Sequence, residues 1–306
     1  MFRPRLAAAS STVNSLSCSS KPAGVYCRDC NENKCGYSVS YTEGSSIRGH
    51  LVNDLIWFAA PEVGRVGVRG TFGCQTYESG LFFSQVADGI AGFSQSQSHG
   101  GTLFDSLRRD QNLPDRFSIC LSDEVGALTL GGHIPSDASP RLEWVPYSGG
   151  GSYSVSVKSM KRGDNTLSVP TNDFRSTIVD SGTSFTYLPP KAYKAVKDYY
   201  TTANPASTME PGEYSDDFCF RRPYSEIAKL DSFSFVFENG VSLRFGPREY
   251  TYELYDGVWC LGVFDNEHSG AVIGAATMRG YEVIFDRVHR RLAFVATDCQ
   301  AMYEVT

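Results

Sequence analysis

Thr177-Ile178-Val179-Asp180-Ser181-Gly182-Thr183-Ser184-Phe185 is the segment on which the reading of this chain turns. Two apolar residues run into an aspartate, and the glycine two residues on lets the backbone turn tightly beneath it. The pattern predicts a strand that ends at a carboxylate, with nearby hydroxyls and backbone N–H groups able to hold that carboxylate in a fixed direction. The apolar pair before Asp180-Ser181-Gly182 and the hydroxyl pair after it distinguish the segment from a plain Asp-Gly corner with a solvated side chain.

Outward from this segment the texture is short β. Tyr37-Ser38-Val39-Ser40-Tyr41 alternates, Leu51 to Phe58 is apolar and aromatic, and Phe233-Ser234-Phe235-Val236-Phe237 alternates again. Asn239-Gly240 then leads into Val241-Ser242-Leu243-Arg244-Phe245, a hairpin signal. Tyr281 to Phe285 and Leu292 to Val295 flank a charged turn. Two segments read as helix. Thr102 caps one that carries Leu103, Phe104 and Leu107, and Pro189-Pro190 opens another with Tyr193, Val196 and Tyr200 on one face. Many strands and few helices make a mainly-β protein. The run Ser148-Gly149-Gly150-Gly151-Ser152 lies near the midpoint and is the predicted domain boundary.

Composition narrows the function classes. The 306 residues are 41% hydrophobic and 20% charged, ordinary for a globular chain, and the net charge of −6 argues against the basic face that nucleic acid requires. No apolar run approaches the length of a bilayer span. Nine cysteines stand at 18, 27, 30, 35, 74, 120, 219, 260 and 299. Cys27, Cys30 and Cys35 have the spacing C-x2-C-x4-C, but no second C-x2-C or H-x3-H pair follows, so disulfides in an oxidising compartment account for them better than zinc does. The odd count implies a free thiol, an intermolecular bridge, or a partner missing from this chain. No Gly-x-Ser-x-Gly occurs, and no histidine sits in a triad context, so serine hydrolase chemistry has no support.

These segments, in this order, resemble the pepsin-like aspartic proteases over essentially the whole chain. Ile178 to Ser184 resembles the catalytic loop of the second lobe, and Tyr41-Thr42-Glu43-Gly44-Ser45-Ser46-Ile47-Arg48-Gly49 resembles the flap, with Tyr41 as its tyrosine. Asp88-Gly89-Ile90-Ala91-Gly92 and Ala271-Val272-Ile273-Gly274 are similar to the apolar-Gly segments that close a loop around each active-site turn. Trp259-Cys260-Leu261-Gly262, Val283-Ile284-Phe285-Asp286 and Arg291-Leu292-Ala293-Phe294 are similar to the family's C-terminal lobe. The start, Ser10-Ser11-Thr12 through Leu16-Ser17-Cys18 to Cys35, resembles the nepenthesin-like branch. The flap Glu43-Gly44-Ser45 and the stretch Gly80-Leu81-Phe82-Phe83 are similar to its plasmepsin V-like members.

The resemblance implies a mainly-β, bilobal fold with two pseudo-twofold-related β lobes and a cleft between them. Residues 1–147 would be an incomplete N-terminal lobe that carries the flap, and 148–306 a C-terminal lobe with the catalytic loop. It implies aspartic endopeptidase chemistry with no cofactor and no metal, a polypeptide substrate, a monomer, and residence in the secretory lumen, a vacuole-like compartment or outside the cell. Asp180 would be one catalytic aspartate, with Gly182, Thr183, Ser184 and Tyr41 approaching substrate. Cys219 would pair with Cys260, and Cys120 with Cys299.

One departure is large. The family uses two Asp-Thr/Ser-Gly loops, and Asp180-Ser181-Gly182 is the single such triplet in this sequence. Asp180 precedes Gly274 by 94 residues (274 − 180 = 94), and the same distance counted back from Gly92 falls just ahead of Met1. Together with the odd cysteine and an N-terminus, Met1 to Ala9, that lacks a signal-peptide core, this predicts a family member whose first catalytic loop is absent. Such a chain is expected to be inactive as it stands. The alternative is a catalytically dead pepsin-like protein that binds peptides or acts as an inhibitor. A homodimer with one triplet per chain fits poorly, because the chain already carries two lobes' worth of apolar-Gly segments.

Overall fold

The apolar alternation between Lys34 and Ser79 pairs into one long antiparallel system. Strand Ser46–Ala60 runs against Gly64–Ser79 from Ser46↔Ser79 to Ala60↔Gly64, with a register shift between Arg48 and Gly49. Lys34–Ser40 lies along the other edge of Ser46–Ala60. In this computed structural model the described residues are 14–21, 25–41, 44–60, 64–84, 87–95, 101–123, 125–132, 142–213 and 217–300. The N-terminal reading over Met1 to Thr12 and the flap residues Thr42 and Glu43 lie outside them.

The chain divides into two compact units, Met1–Asp115 with Thr306, and Arg116–Val305. In the first, Cys18–Cys30 and Cys27–Cys35 disulfides staple the short segments around Val25, Cys35 and Leu51 into a small core that Leu16 and Tyr37 complete. A small core of this kind gains most from such cross-links. Cys74 is a free, exposed thiol. Helix Leu103–Gln111 begins at Thr102, whose hydroxyl accepts from the Asp105 amide while the Asp105 carboxylate accepts from the Thr102 amide. It ends at Asn112 in the left-handed conformation and buries Phe104 and Leu107.

The second unit has one ten-stranded sheet and two four-stranded sheets. Alternation in Phe233–Phe237 buries Phe233, Phe235 and Phe237 completely, and Phe245 and Tyr250 close the same core. Each such ring contributes about 1.5–3 kcal/mol of burial. Asn239-Gly240 does make a hairpin, but as part of a three-residue loop: Gly240 donates to the Phe237 carbonyl at φ +90 and Phe237 to that of Val241. Helix Pro190–Ala203 buries Ala192, Val196 and Tyr200, with Tyr193 half-buried. Three further four-residue helices, Tyr224–Ile227, Pro247–Tyr250 and Ala275–Met278, are too short to leave a periodic signal in the sequence.

Strand Arg116–Leu121 pairs with Tyr281–Asp286, and disulfide Cys120–Cys299 joins the same strand to the end of the chain. The second unit therefore starts at Arg116, ahead of the glycine run at 149–151. Disulfide Cys219–Cys260 bridges two directly paired residues of neighbouring strands.

Candidate active site

Asp180 stands at the end of strand Thr177–Val179, and four backbone hydrogen bonds fix where that strand ends. Ile178 N–H donates to the Ala271 carbonyl (2.9 Å), Asp180 N–H to that of Ile273 (3.0 Å) and Val179 N–H to that of Tyr153 (3.0 Å). Thr183 N–H then returns to the Asp180 carbonyl (3.3 Å), closing the turn. Val272–Ile273 is thus a parallel neighbour of the strand that ends at Asp180, with Ile178↔Val272 and Val179↔Ile273 in register.

The side chain is held from both sides. Gly182 N–H donates to Asp180 Oδ1 (2.9 Å), and the Thr183 hydroxyl donates to Oδ2 (2.8 Å). Both bonds fix the carboxylate plane. Asp180 and Thr183 are half-buried, whereas Ser181, Gly182 and Ser184 are exposed, so a directed carboxylate faces solvent. Such a group can take a proton from a bound water.

Beneath the loop lies a layer of buried hydroxyls. Thr186 and Thr277 are fully buried with their hydroxyls 2.7 Å apart, and Gly274 N–H donates to Thr186 Oγ1 (3.2 Å). Thr177 Oγ1 donates to the Phe174 carbonyl and accepts from Ala271 N–H. The carbonyls of Thr183 and Ser184 accept from Ala275 and Ala276, the first residues of helix Ala275–Met278. Gly274 is required by this approach, because a Cβ there would stand 2.1 Å from the Phe185 carbonyl oxygen.

The structure thus brings Asp180, Gly182, Thr183 and Ser184 together. Tyr41 belongs to the first unit, half-buried at the end of Lys34–Ser40, with its ring 5.2 Å from that of Phe82. The supporting Thr186 and Thr277 escape sequence reasoning, whereas Thr177 and Gly274 lie in segments that it singled out. Thr186 has only the alternation with Phe185 and Tyr187 to mark it as inward, and Thr277 has no signal of its own.

Comparison with known proteins gives a consistent picture. Residues 3–132 match the family described as Xylanase inhibitor N-terminal, and 152–296 the one described as Xylanase inhibitor C-terminal. Over 286 residues the chain is 29% identical to Aspartic protease 5 of Toxoplasma gondii, covering 88% of this chain and 28% of that protein. Against Aspartic proteinase nepenthesin-2 of Nepenthes gracilis it is 25% identical over 318 residues, covering 95% of this chain and 67% of that one. The chain therefore spans only part of the length of these relatives. Basic 7S globulin from soybean shares the fold, with a TM-score of 0.74 at 20% identity over 98% of this chain and 85% of that one.

Proposed function

Because the chain belongs to the pepsin-like aspartic protease family, alongside proteins named nepenthesin and plasmepsin V, we propose that it is the larger part of an aspartic endopeptidase in which Asp180 is one of two catalytic carboxylates. The observation that carries this reading is the Asp180 carboxylate, clamped by Gly182 N–H and Thr183 Oγ1 yet half-open to solvent. The second carboxylate would come from an apolar-apolar-Asp-Thr/Ser-Gly loop outside these 306 residues.

Two facing carboxylates share one proton, since like charges so close do not both ionise. The ionised one removes a proton from the bridging water, whose oxygen bonds to the scissile carbonyl carbon. The protonated one donates to the developing oxyanion, and a proton then reaches the amide nitrogen as the C–N bond breaks. In this reading Thr183 and Ser184 approach the peptide, Gly182 shapes the turn, and Tyr41 covers the substrate from the flap. The substrate is a polypeptide and the enzyme a monomer. Its four disulfides suit the secretory lumen, a vacuole-like compartment or the extracellular space. Among the described residues no helix is long and apolar enough to cross a membrane.

A second reading rests on the single triplet together with the matched inhibitor families: a pepsin-like protein that binds peptide or protein without cleaving it. Transcript sequencing upstream of Met1 separates the two. An in-frame Asp-Thr/Ser-Gly loop preceded by apolar residues is expected. A transcript-confirmed start at Met1, with a stop codon directly before it, would discard the protease reading in favour of the binding protein.

A further inference from the structure

We infer that Phe82 is a positioning residue for Tyr41: its ring, together with the Ser45 hydroxyl, fastens Tyr41 to the turn Gly80–Phe83. The functional weight of this inference rests on the proposed role of Tyr41 as the flap tyrosine.

Gly80–Phe83 is a single tight helical turn that follows strand Gly64–Ser79 directly. It carries three consecutive apolar side chains with different fates. Leu81 is 55% exposed and Phe83 78%, whereas Phe82 between them is half-buried. The reason is Tyr41, whose ring lies 5.2 Å from that of Phe82 at 61° between planes, an edge-to-face contact. A second tie runs through Ser45, which is 1% exposed. Its hydroxyl accepts from Leu81 N–H (2.9 Å), and its carbonyl accepts from Tyr41 N–H (2.9 Å). Gly44 N–H returns to the Tyr41 carbonyl (3.0 Å).

Gly80 makes this approach possible. It has φ +68, and a Cβ there would stand 2.5 Å from Ser45 Oγ. The Ser46 and Ser79 hydroxyls, 2.8 Å apart, lock the adjoining strand ends. Tyr41 is therefore linked to the turn twice, ring to ring and through Ser45. A Tyr41 that leaves its present orientation must give up the Phe82 edge contact, so Phe82 sets the equilibrium between this orientation and others. The Phe83 side chain, the most exposed of the three, serves as the control.

The test is aromatic and amide NMR on this chain. Phe82→Leu should shift the Tyr41 ring resonances and raise amide exchange at Gly44 and Leu81 about tenfold. The Leu51 and Val52 amides of the same hairpin should keep their protection, Phe82→Tyr should restore the Tyr41 signature, and Phe83→Leu should leave it unmoved. Unchanged Tyr41 resonances in Phe82→Leu overturn the proposal. So does an equal effect from Phe83→Leu, or a loss of protection along the whole hairpin. Should Phe82→Leu not fold, Ser45→Ala provides the second arm, with faster exchange at Leu81 and a shifted Tyr41 ring expected and no change at either overturning the link. In a form of the protein with Asp180-dependent peptidase activity, Phe82→Leu should raise KM about tenfold with kcat nearly unchanged. Failure of the protease reading would appear separately, as proteolysis indifferent to Asp180→Asn, and the Tyr41 spectra would still decide the coupling.

Discussion

Gly270-Ala271-Val272-Ile273-Gly274 and Ala87-Asp88-Gly89-Ile90-Ala91-Gly92 both end in two apolar residues and a glycine, and the structure treats them oppositely. In the second unit Ala271 and Ile273 are buried, their carbonyls accept from Ile178 and Asp180, and Gly274 leaves no room for a side chain. In the first unit Ile90 is 56% exposed, and among the described residues nothing beyond the adjoining chain neighbours lies within 4 Å of a Cβ at Gly89 or Gly92. The difference is a partner strand. Val272–Ile273 lies against Thr177–Val179, while residues 87–95 form no strand. An apolar-Gly segment is thus only half of a structure, and its burial comes from the strand that ends in the aspartate.

The largest effect should come from the carboxylate that the seated segment supports. Asp180→Asn keeps the size of the side chain and removes its ionisable group. In a form of the protein that carries a first Asp-Thr/Ser-Gly loop, acid peptidase turnover should fall by about 10³-fold or more, with the circular dichroism spectrum unchanged. Equal turnover by the variant would mean the chemistry lies elsewhere.

Next, the two glycines themselves can be compared. Gly274→Ala drives a methyl into the Phe185 carbonyl and should cost about 3 kcal/mol. Gly92→Ala enters open space and should change stability by less than about 0.5 kcal/mol. Paired denaturant melts of the two variants decide this. Equal costs would show that the residue 87–95 segment is seated after all.

Charge shows the same contrast. Asp286 is completely buried in the second unit and accepts from His289 Nδ1 (2.8 Å) and Arg291 Nε (3.0 Å). Burial pushes its carboxyl up, but the hydrogen bonds from His289 and Arg291 outweigh burial and hold it below the usual carboxylate range. A group lowered on folding stabilises above its unfolded pKa, and that stabilisation fades as pH falls through the folded value. Asp286→Asn should therefore cost about 2 kcal/mol near neutrality, with the gap to the parent closing in strong acid. A gap that stays constant with pH would contradict the assignment. The first unit's Glu32–Lys34 pair is exposed, and Lys34→Ala should leave the Tm unmoved at any pH.

A more modest loss is expected in the hydroxyl layer. Thr277→Val leaves the buried Thr186 hydroxyl short of a partner and should cost about 1–2 kcal/mol. Calorimetry should show the loss in the second unit without a change in the exposure of Asp180.

Much of this was legible in the residues. Alternation marked Phe233–Phe237 because one face of it is buried, an apolar run marked Tyr281 to Phe285, which is buried on both faces from Val283 on, and Thr102 signalled a helix start through a local hydrogen bond. Ile178 to Ser184 announced a strand, a carboxylate and a turn. Other features were not visible there. The long hairpin Ser46–Ala60 with Gly64–Ser79 extends well beyond the apolar stretch Leu51 to Phe58, because backbone pairing continues where side chains carry no pattern. The start of the second unit at Arg116 depends on pairing with a strand more than 160 residues later.

The sequence by itself determined the β character, the helix caps, the hydroxyl-rich loop around Asp180 and the odd count of cysteines. All of these depend on residues near one another in the chain, where propensity and local hydrogen bonding act. Tertiary structure alone decided that Ala271, Ile273 and Gly274 would be buried and Ala87 to Gly92 exposed, and that Thr186 would meet Thr277. It also decided that Phe82 would hold Tyr41 and that Asp286 would lie buried beneath His289 and Arg291. Each of these depends on which distant strand arrives to exclude water, and no local pattern in either partner encodes that arrival.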